Sequence, residues 1–185
     1  IGALGTHAFD MLNWFFGESI NVSGKLATSI KKRPLPNSSD LNDVTSEDVC
    51  LANIEISTYN SKLIPCQVSL SSISKNGRGF SLEIYGSEGS LILKSENQKD
   101  YVHGFNLKYS NNENKIQNLT ADSSFNFEKT WTDGRIAPVL RIQNLWAESI
   151  FNKTPIIPGL SEGLASHKVC EAIKESSKSG LNIKI

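Results

Sequence analysis

Alternation of apolar and polar residues with a period of two runs through the first half of the chain and constrains its fold most strongly. Residues 20–30 alternate in the way that is typical of a half-buried β-strand. Two further alternating runs, 50–56 and 64–70, meet around Tyr59-Asn60-Ser61. A connection this short predicts an antiparallel hairpin.

More strands are expected further along the chain. Residues 80–85 and 90–93 alternate on either side of Gly86-Ser87-Glu88-Gly89, and weaker patterns follow at about 105–109 and 114–119. Pro65 cannot donate a ladder hydrogen bond, which predicts an edge strand or a bulge at that position.

The last fifty residues change to helical spacing. Apolar residues recur every three or four positions from Val139 to Ile150, with Pro138 suited to a first helical position. A second helix is predicted from a Ser161 cap to a stop at Gly180, followed by a short closing strand. Strands first and helices last predict an α+β fold, an open, mainly antiparallel sheet with helices covering one face.

A short helix is also predicted at the start of the chain. Residues 8–16 are apolar on most sides, so this helix is expected to be buried. Thr6 is its expected N-cap, and Gly17 its expected left-handed C-terminal residue.

Length and charge narrow the class of protein. The chain has 185 residues, enough for one domain, and its 19 Lys and Arg balance 19 Asp and Glu. This neutrality disfavours nucleic acids and acidic membranes as partners. No apolar run approaches the ~20 residues that span a bilayer, and the first residues lack a signal-peptide pattern. Cys50, Cys66 and Cys170 lack C-x-x-C spacing, which predicts reduced thiols in a cytoplasmic protein.

Familiar cofactor and metal motifs are missing from the sequence. No G-x-G-x-x-G follows a strand, and neither a phosphate-binding loop nor a nucleophile elbow occurs. His7, His103 and His167 lack metal-ligand spacing with each other or with cysteine. The sequence therefore predicts no metal site and no cofactor site in this chain.

His7 is the candidate catalytic residue. It is expected in the first turn of the first helix, where apolar neighbours would desolvate it and the helix N-terminus would disfavour the protonated imidazole. An imidazole that titrates near neutrality is the usual proton carrier in the oxidation of an alcohol or the reduction of a ketone. The alternatives are a core histidine hydrogen-bonded to backbone and an ordinary residue of the N-terminal turn.

Four segments resemble one protein family. Gly5-Thr6-His7-Ala8-Phe9-Asp10 through Trp14-Phe15-Phe16-Gly17-Glu18 is similar to a G-x-H-x-x-D-x-x-x-W segment of the Gfo/Idh/MocA oxidoreductases. Val44–Ala52 resembles the T-x-x-D strand entry of that family, and Leu82–Leu91 resembles its I-x-G-T-E-G-x-L hairpin. The chain from Pro158 onward resembles the closing helix and strand. The resemblance covers nearly all 185 residues.

The resemblance implies a two-domain enzyme. In this family a Rossmann domain binds NAD or NADP, and a C-terminal domain on an open, mainly antiparallel sheet follows it. Residues 1–185 would be a single substrate-binding and oligomerisation domain, with the Rossmann domain absent from this chain and the fragment inactive alone. Hydride would pass between the nicotinamide and a sugar, polyol or cyclitol, and His7 would hydrogen-bond the reacting oxygen.

One departure leaves other functions open. Ala3 stands where many dehydrogenases of the family have an aspartate that orients the imidazole. A non-catalytic dimerisation or ligand-binding module with the same fold is the main alternative. Lyase or hydrolase chemistry on the same scaffold is a third.

Two further surfaces are candidates. Trp131, Asp133 and Arg135 form a polar loop that could hold sugar hydroxyls, or alternatively a turn with a packed Trp and a surface ion pair. Asp10 is a candidate for orienting the helix or the substrate. The open face of the sheet is expected to carry scattered apolar residues, either as a homo-oligomer contact or as a wetted surface: Leu51, Leu63, Ile73 and Tyr85.

Overall fold

The computed structural model describes residues 1–97, 104–111 and 115–185. These form two compact units, one of Ile1–Lys75 with Ile157–Ile185 and one of Asn76–Ile156. The first unit contains α1 (Gly2–Phe16), β1 (Gly17–Ala27), β2 (Lys32–Pro34), β3 (Leu41–Asp43), β4 (Val49–Thr58), β5 (Leu63–Ser71), α3 (Leu160–Ser179) and β10 (Ile183–Lys184). The second contains β6 (Phe80–Gly86), β7 (Gly89–Ser95), β8 (Asn106–Asn111), β9 (Ile116–Leu119), a 3₁₀ turn at Ser123–Phe125 and α2 (Ile136–Asn152).

The main sheet of the first unit has the strand order β10-β1-β4-β5, and every pairing in it is antiparallel. The predicted hairpin is confirmed, because β4 and β5 pair from Val49 with Ser71 to Ser57 with Leu63. Pro65 lies in β5, which is an edge strand of this sheet. No neighbouring strand on the open side needs an N–H donor, so a proline is tolerated there. Strands β2 and β3 form a separate two-stranded ribbon.

Helices α1 and α3 cover one face of this sheet. Alternate β4 side chains, including Ile54 and Ile56, are buried against them, with Phe9 of α1 and Ile173 of α3 fully enclosed. The opposite face of the sheet carries exposed side chains such as Leu51. The helices therefore leave that face of the first unit's sheet uncovered.

The second unit has a sheet in which β6, β7, β8 and β9 pair in sequence order, all antiparallel. The predicted hairpin between Gly86 and Gly89 is confirmed, since these two residues pair across a two-residue loop. The weaker strands are present as β8 and β9, while residue 114 of the predicted range lies outside the described residues.

The α+β class with antiparallel sheets and helices is confirmed. The described strands divide among three sheets, whereas the sequence pattern predicts one. Alternation reports which residues of a strand share a face, but the choice of partner strand depends on contacts that the pattern does not contain. No helix within the described ranges is long and apolar enough to cross a membrane.

The starts of the helices differ from the expected ones. Helix α1 begins at Gly2, so Thr6 as N-cap is wrong; its hydroxyl donates to the Gly2 carbonyl oxygen inside the helix, at 2.9 Å. Gly5 is buried, and a Cβ there would lie 2.8 Å from Ile1 Cγ1 and 3.0 Å from the Phe9 ring. Close packing around Gly5 thus outweighs the low helix propensity of glycine.

The last two helices also begin earlier than the sequence predicts. Pro138 is the third residue of α2, which begins at Ile136. Ser161 is not the cap of α3, because Gly159 precedes the helix and its N–H donates to the Glu162 carboxylate at 2.6 Å. The stop at Gly180 is confirmed, with the residue left-handed at a φ of 74°.

Candidate functional site

One face of α1 is left uncovered by the first unit. The buried residues of the helix, Gly5, Phe9 and Leu12, lie together on the side that faces the core. Trp14 is 71% exposed, and Leu4 and Phe15 are also exposed. The expectation that this helix is buried on most sides is therefore wrong, because its apolar residues occupy two faces and the first unit covers only one.

His7 lies in the middle of the uncovered face. It is the sixth residue of α1, so the expected position in the first helical turn is wrong. Its side chain is exposed, because none of the described residues covers it. The expected desolvation of His7 by its neighbours is therefore wrong. Leu4, Met11 and Trp14 share its side of the helix by their spacing of three, four and seven residues. His7 is thus an exposed imidazole that shares its side of α1 with several apolar side chains.

The C-terminal end of α1 is fixed by side chains from the sheet. The Tyr59 hydroxyl, in the β4–β5 turn, donates to the carbonyl oxygens of Asn13 and Trp14 at 3.0 and 2.9 Å. The Asn13 side-chain oxygen accepts from both the N–H and the hydroxyl of Ser19, at 3.2 and 2.8 Å. Gly17 joins helix to strand with a φ of 128°. These contacts hold the orientation of the helix that carries His7.

Two residues flank His7 on the helix. Ala3 precedes it by four positions and Asp10 follows it by three, so both lie near the same face. Ala3 offers a methyl group where a carboxylate could orient the imidazole. Asp10 is half-buried and remains a candidate for orienting the helix or a ligand.

The second unit contains the other predicted site residues. An open cavity of about 420 Å³ runs along the N-terminal half of α2. It is lined by Trp131, Arg135, Ile136, Val139, Leu140 and Gln143. The structure therefore brings Trp131 and Arg135 to one groove, which we call the α2 groove.

The loop before α2 is built around an ion pair. The Arg135 Nε and Nη2 atoms donate to the two carboxylate oxygens of Asp133 at 2.8 and 2.6 Å. The Arg135 backbone N–H donates to the same carboxylate at 3.0 Å. Hydrogen bonds from the side chain and backbone of Arg135 lower the pKa of Asp133 to about 2. The expected surface ion pair is present, and it lies at the edge of a groove.

Cation–ring contacts arrange the segment that leads to Trp131. The Lys129 Nζ lies 5.1 Å from the ring centre of Trp131. The Arg141 guanidinium lies 4.2 Å from the ring centre of Phe127 and donates to the Asn126 carbonyl oxygen at 3.2 Å. Both geometries are those of cation–π contacts, which favour a fixed placement of the ring.

Gln143 is a groove residue that the sequence reasoning missed. It lies four residues after Val139 and eight after Arg135, so all three follow one side of α2. In the sequence, Gln143 is a single amide among apolar residues at helical spacing. Its distance of four residues from Val139 could have identified it.

The uncovered face of the first unit's sheet is mainly polar. A shallow cavity of about 790 Å³ lies over it, lined by side chains that include Asn21, Glu55 and Gln67. The Asn21 amide donates to Glu55 across β1 and β4 at 3.3 Å. Leu51 and Leu63 are 52% and 59% exposed on the same sheet. Tyr85, predicted for this face, instead lies in β6 of the other unit.

The described residues do not fit a dinucleotide site. The glycine-rich turns they contain connect antiparallel strands or lead into them, whereas a dinucleotide fold places its glycines between a parallel strand and a helix. No group of three or more His, Cys, Asp or Glu side chains in these ranges could hold a metal ion. His103 lies outside the described residues.

Comparison with known proteins identifies the family. A family model described as "Oxidoreductase family, C-terminal alpha/beta domain" matches residues 1–185. An uncharacterized oxidoreductase from Synechocystis sp. is 38% identical over 177 residues, covering 95% of this chain and 47% of the relative. The chain belongs to the Gfo/Idh/MocA oxidoreductase family and corresponds to its C-terminal α/β domain.

Solved structures share the fold. An NAD-binding oxidoreductase from Klebsiella pneumoniae matches with a TM-score of 0.74 at 19% identity, over 98% of this chain and 49% of that one. Levoglucosan dehydrogenase in complex with NADH and levoglucosan matches with a TM-score of 0.72 at 17% identity, over 99% and 49%. The chain thus spans about half the length of the proteins it matches.

Proposed function

We propose that this chain is the substrate-binding half of an NAD(P)-dependent oxidoreductase that acts on a sugar, polyol or cyclitol. Family membership supports oxidoreductase chemistry, and the relatives that bind NADH and levoglucosan support the cofactor and substrate classes. Residues 1–185 would act as one substrate-binding and oligomerisation domain.

His7 is the proposed proton carrier. The observation that carries this role is its place at the centre of the uncovered apolar face of α1, beside Leu4 and Trp14. A ligand or protein segment that covered such a face would exclude water around the imidazole and strengthen its hydrogen bond to a substrate oxygen. His7 would take the proton from a substrate hydroxyl during oxidation and return it during reduction.

The test is a pair of histidine variants in the full-length protein. His7→Gln removes the titratable group, and we expect kcat to fall about 10²- to 10⁴-fold. Nicotinamide affinity, measured by NADH fluorescence, should change far less. His167→Gln is the matched control, because His167 is also exposed and helical but lies on α3. Substrates are levoglucosan and a panel of hexoses, polyols and inositols; unchanged turnover of His7→Gln on the best of them would reject the role.

The nicotinamide would be bound outside these residues. The described ranges do not fit it, and the relatives are about twice as long as this chain. When bound, the nicotinamide would supply or accept the hydride. We therefore expect residues 1–185 alone to have no dehydrogenase activity, and to regain it only as part of the longer protein.

The α2 groove is the proposed contact for carbohydrate hydroxyls in the second unit. Trp131 offers an aromatic surface for the apolar face of a sugar ring, and Arg135 and Gln143 offer polar groups for hydroxyls. Trp131→Ala should weaken sugar binding, seen as a rise in KM, while Trp146→Ala serves as a tryptophan control, because Trp146 is exposed on α2 but does not line the groove.

We also propose homo-oligomerisation through the uncovered sheet face of the first unit. The exposed Leu51 and Leu63 offer apolar surface on a face that the helices leave uncovered, and the polar side chains of that face can form the hydrogen bonds that a non-obligate interface contains. Leu51→Asp should shift the protein toward monomer in sedimentation velocity. Leu41→Asp, on the separate ribbon and similarly exposed, is the control. An unchanged sedimentation coefficient for Leu51→Asp would place any contact elsewhere.

A cytoplasmic location is proposed from cysteine chemistry. All three cysteines are free, and Cys50 and Cys170 are buried. Free thiols of this kind persist in reducing compartments.

A non-catalytic ligand-binding or dimerisation module is the second candidate. Ala3, in place of a carboxylate near His7, is the observation that favours it. The full-length protein would then bind a carbohydrate without reducing NAD or NADP. Stopped-flow absorbance at 340 nm over the same substrate panel separates the two functions.

A further inference from the structure

We propose that Asp133 makes the α2 groove selective for neutral polyhydroxylated ligands over anionic ones. This inference rests on the proposed function and deepens it by naming the charge class of the ligand. Asp133 would act as a specificity residue through Arg135, which lines the groove.

The geometry of the ion pair carries the argument. Two guanidinium nitrogens of Arg135 donate to the two oxygens of one carboxylate, a bidentate arrangement that fixes the planes of both groups. A carboxylate or phosphate ligand binds an arginine through that same bidentate donor geometry. Asp133 therefore already occupies the Nε/Nη2 edge of Arg135, one of the two edges at which an anionic ligand could bind in this way.

The pair also removes net charge at the groove entrance. Asp133 remains ionised throughout the neutral pH range, because its pKa is lowered to about 2 by Arg135. The carboxylate and the guanidinium then sum to zero charge. An anionic ligand near the pair lies at a similar distance from both groups. Asp133 repels it and Arg135 attracts it, so little net attraction remains.

The neighbouring charged residues do not take over the role of Arg135 in attracting an anionic ligand. Lys129 lies over the Trp131 ring as an exposed ammonium, which remains strongly hydrated. Glu128, the next residue along the chain, is also exposed and carries the opposite charge. Both are unchanged in a substitution at Asp133, so a variant at that position isolates its contribution.

The remaining walls of the groove suit a neutral ligand with hydroxyls. Ile136, Val139 and Leu140 supply apolar surface, and the Gln143 amide can both donate and accept a hydrogen bond. Trp131 adds an aromatic surface. None of these groups discriminates by charge, which leaves the Asp133–Arg135 pair to do so.

The test compares two ligands that differ in charge at their ends. D-glucitol is a neutral hexitol, and D-glucarate has the same carbon chain with a carboxylate at each end. The full-length protein is labelled with 5-fluorotryptophan, and the Trp131 resonance is assigned from Trp131→Phe. Titration at fixed ionic strength then reports binding at the groove independently of turnover.

In the wild-type protein, D-glucitol should shift the Trp131 resonance and D-glucarate should bind more weakly. Asp133→Asn keeps an oxygen that can accept the Arg135 backbone N–H but removes the charge. We expect it to raise D-glucarate affinity about two- to fivefold, within the range for an exposed ion pair, and to leave D-glucitol affinity nearly unchanged. The gain should disappear at about 0.5 M salt.

Two control variants accompany this test. Asp133→Glu keeps the charge and should retain the preference for D-glucitol. Glu148→Gln makes the same charge change on another side of α2 and should leave both affinities unchanged.

Three outcomes would overturn the inference. They are equal binding of the two ligands by the wild type, no gain for D-glucarate in Asp133→Asn, and no shift of Trp131 with either ligand. Failure of the proposed function is separate, because it appears as unchanged turnover in His7→Gln, which this titration does not measure.

Discussion

The hydroxyl of Ser176 in α3 accepts a hydrogen bond from the backbone N–H of Gly24 in β1, at an N–O distance of 3.0 Å. The same hydroxyl donates to the Leu181 carbonyl oxygen at 2.6 Å. Strand β10 pairs with β1 only at Asn21 and Val22, so the strand edge beyond them has no ladder partner. A buried helix side chain completes the hydrogen bonding of the sheet there.

Replacing this hydroxyl should destabilise the protein. Ser176→Ala leaves the half-buried Gly24 N–H without its partner, and we expect a loss of about 1–2 kcal/mol in the free energy of unfolding. Urea unfolding followed by circular dichroism measures it. Ser161→Ala, at the exposed start of the same helix, should stay within about 0.5 kcal/mol of the wild type. Equal effects of the two substitutions would contradict this role of Ser176.

Gly17 should tolerate no side chain. Its φ is 128°, and a Cβ there would lie 2.2 Å from the Ser57 carbonyl oxygen. Gly17→Ala should therefore lower stability by at least about 2 kcal/mol, because both strain and a backbone clash are added. Gly163→Ala, in the first turn of α3 where no atom lies within 4 Å of the added Cβ, should instead raise stability by about 0.5–1 kcal/mol. Thermal unfolding of the two variants should move the midpoint in opposite directions.

Asp48 should make stability depend on acid pH. Its carboxylate accepts the backbone N–H groups of Ser29 and Ile30 at 2.7 and 2.8 Å, and these bonds hold its pKa below the ordinary value, with Ile30 the larger contributor. A lowered pKa in the folded state gives stabilisation that is full above the unfolded-state pKa, near 4, and is lost as the pH falls through the folded-state pKa.

The difference in the free energy of unfolding between wild type and Asp48→Asn should thus be largest at neutral pH. It should shrink as the pH falls below about 4. Denaturant unfolding at several pH values measures it. Asp40→Asn, at an exposed loop position, is the control and should show no comparable change. A gap for Asp48→Asn that stayed constant down to pH 2 would argue against the carboxylate as its source.

Cys50 should resist alkylation in the native protein. Burial is the main cause that raises the pKa of its thiol to about 11, so about one thiol in a thousand is ionised at pH 8. Burial also raises the pKa of Cys66 and Cys170, but Cys66 is only half-buried. Peptide mapping after N-ethylmaleimide treatment should find Cys66 labelled first and Cys50 only upon unfolding. Early labelling of Cys50 would mean that the core opens locally.

Much of the local structure was predictable because its cause is local. The β4–β5 hairpin follows from two alternating runs joined by a short turn, and the end of α3 follows from a glycine in the left-handed region. The importance of His7 as a candidate also came from a short motif. These features need only neighbouring residues, so the sequence contains the information for them.

The surroundings of His7 were not predictable in the same way. A largely apolar helix is expected to be buried. Helix α1 has apolar residues on two faces, however, and α3 and the sheet cover only the face that carries Phe9 and Leu12. The helix also continues through the buried Gly5, where close packing outweighs the low helix propensity of glycine. Exposure of His7 is therefore a property of the contacts around the helix.

The sequence by itself determined the alternating strands, their tight turns, the helical ends at glycine and the residues available for chemistry. Only the tertiary structure decided how the strands divide into sheets, that Ser176 completes the edge of β1, and that the Asp133–Arg135 pair lies beside a groove. The physical reason is range: turn and strand preferences arise between residues close in the chain. Pairing, burial and side-chain hydrogen bonding depend on residues as far apart as Gly24 and Ser176, which only folding brings within 3.0 Å.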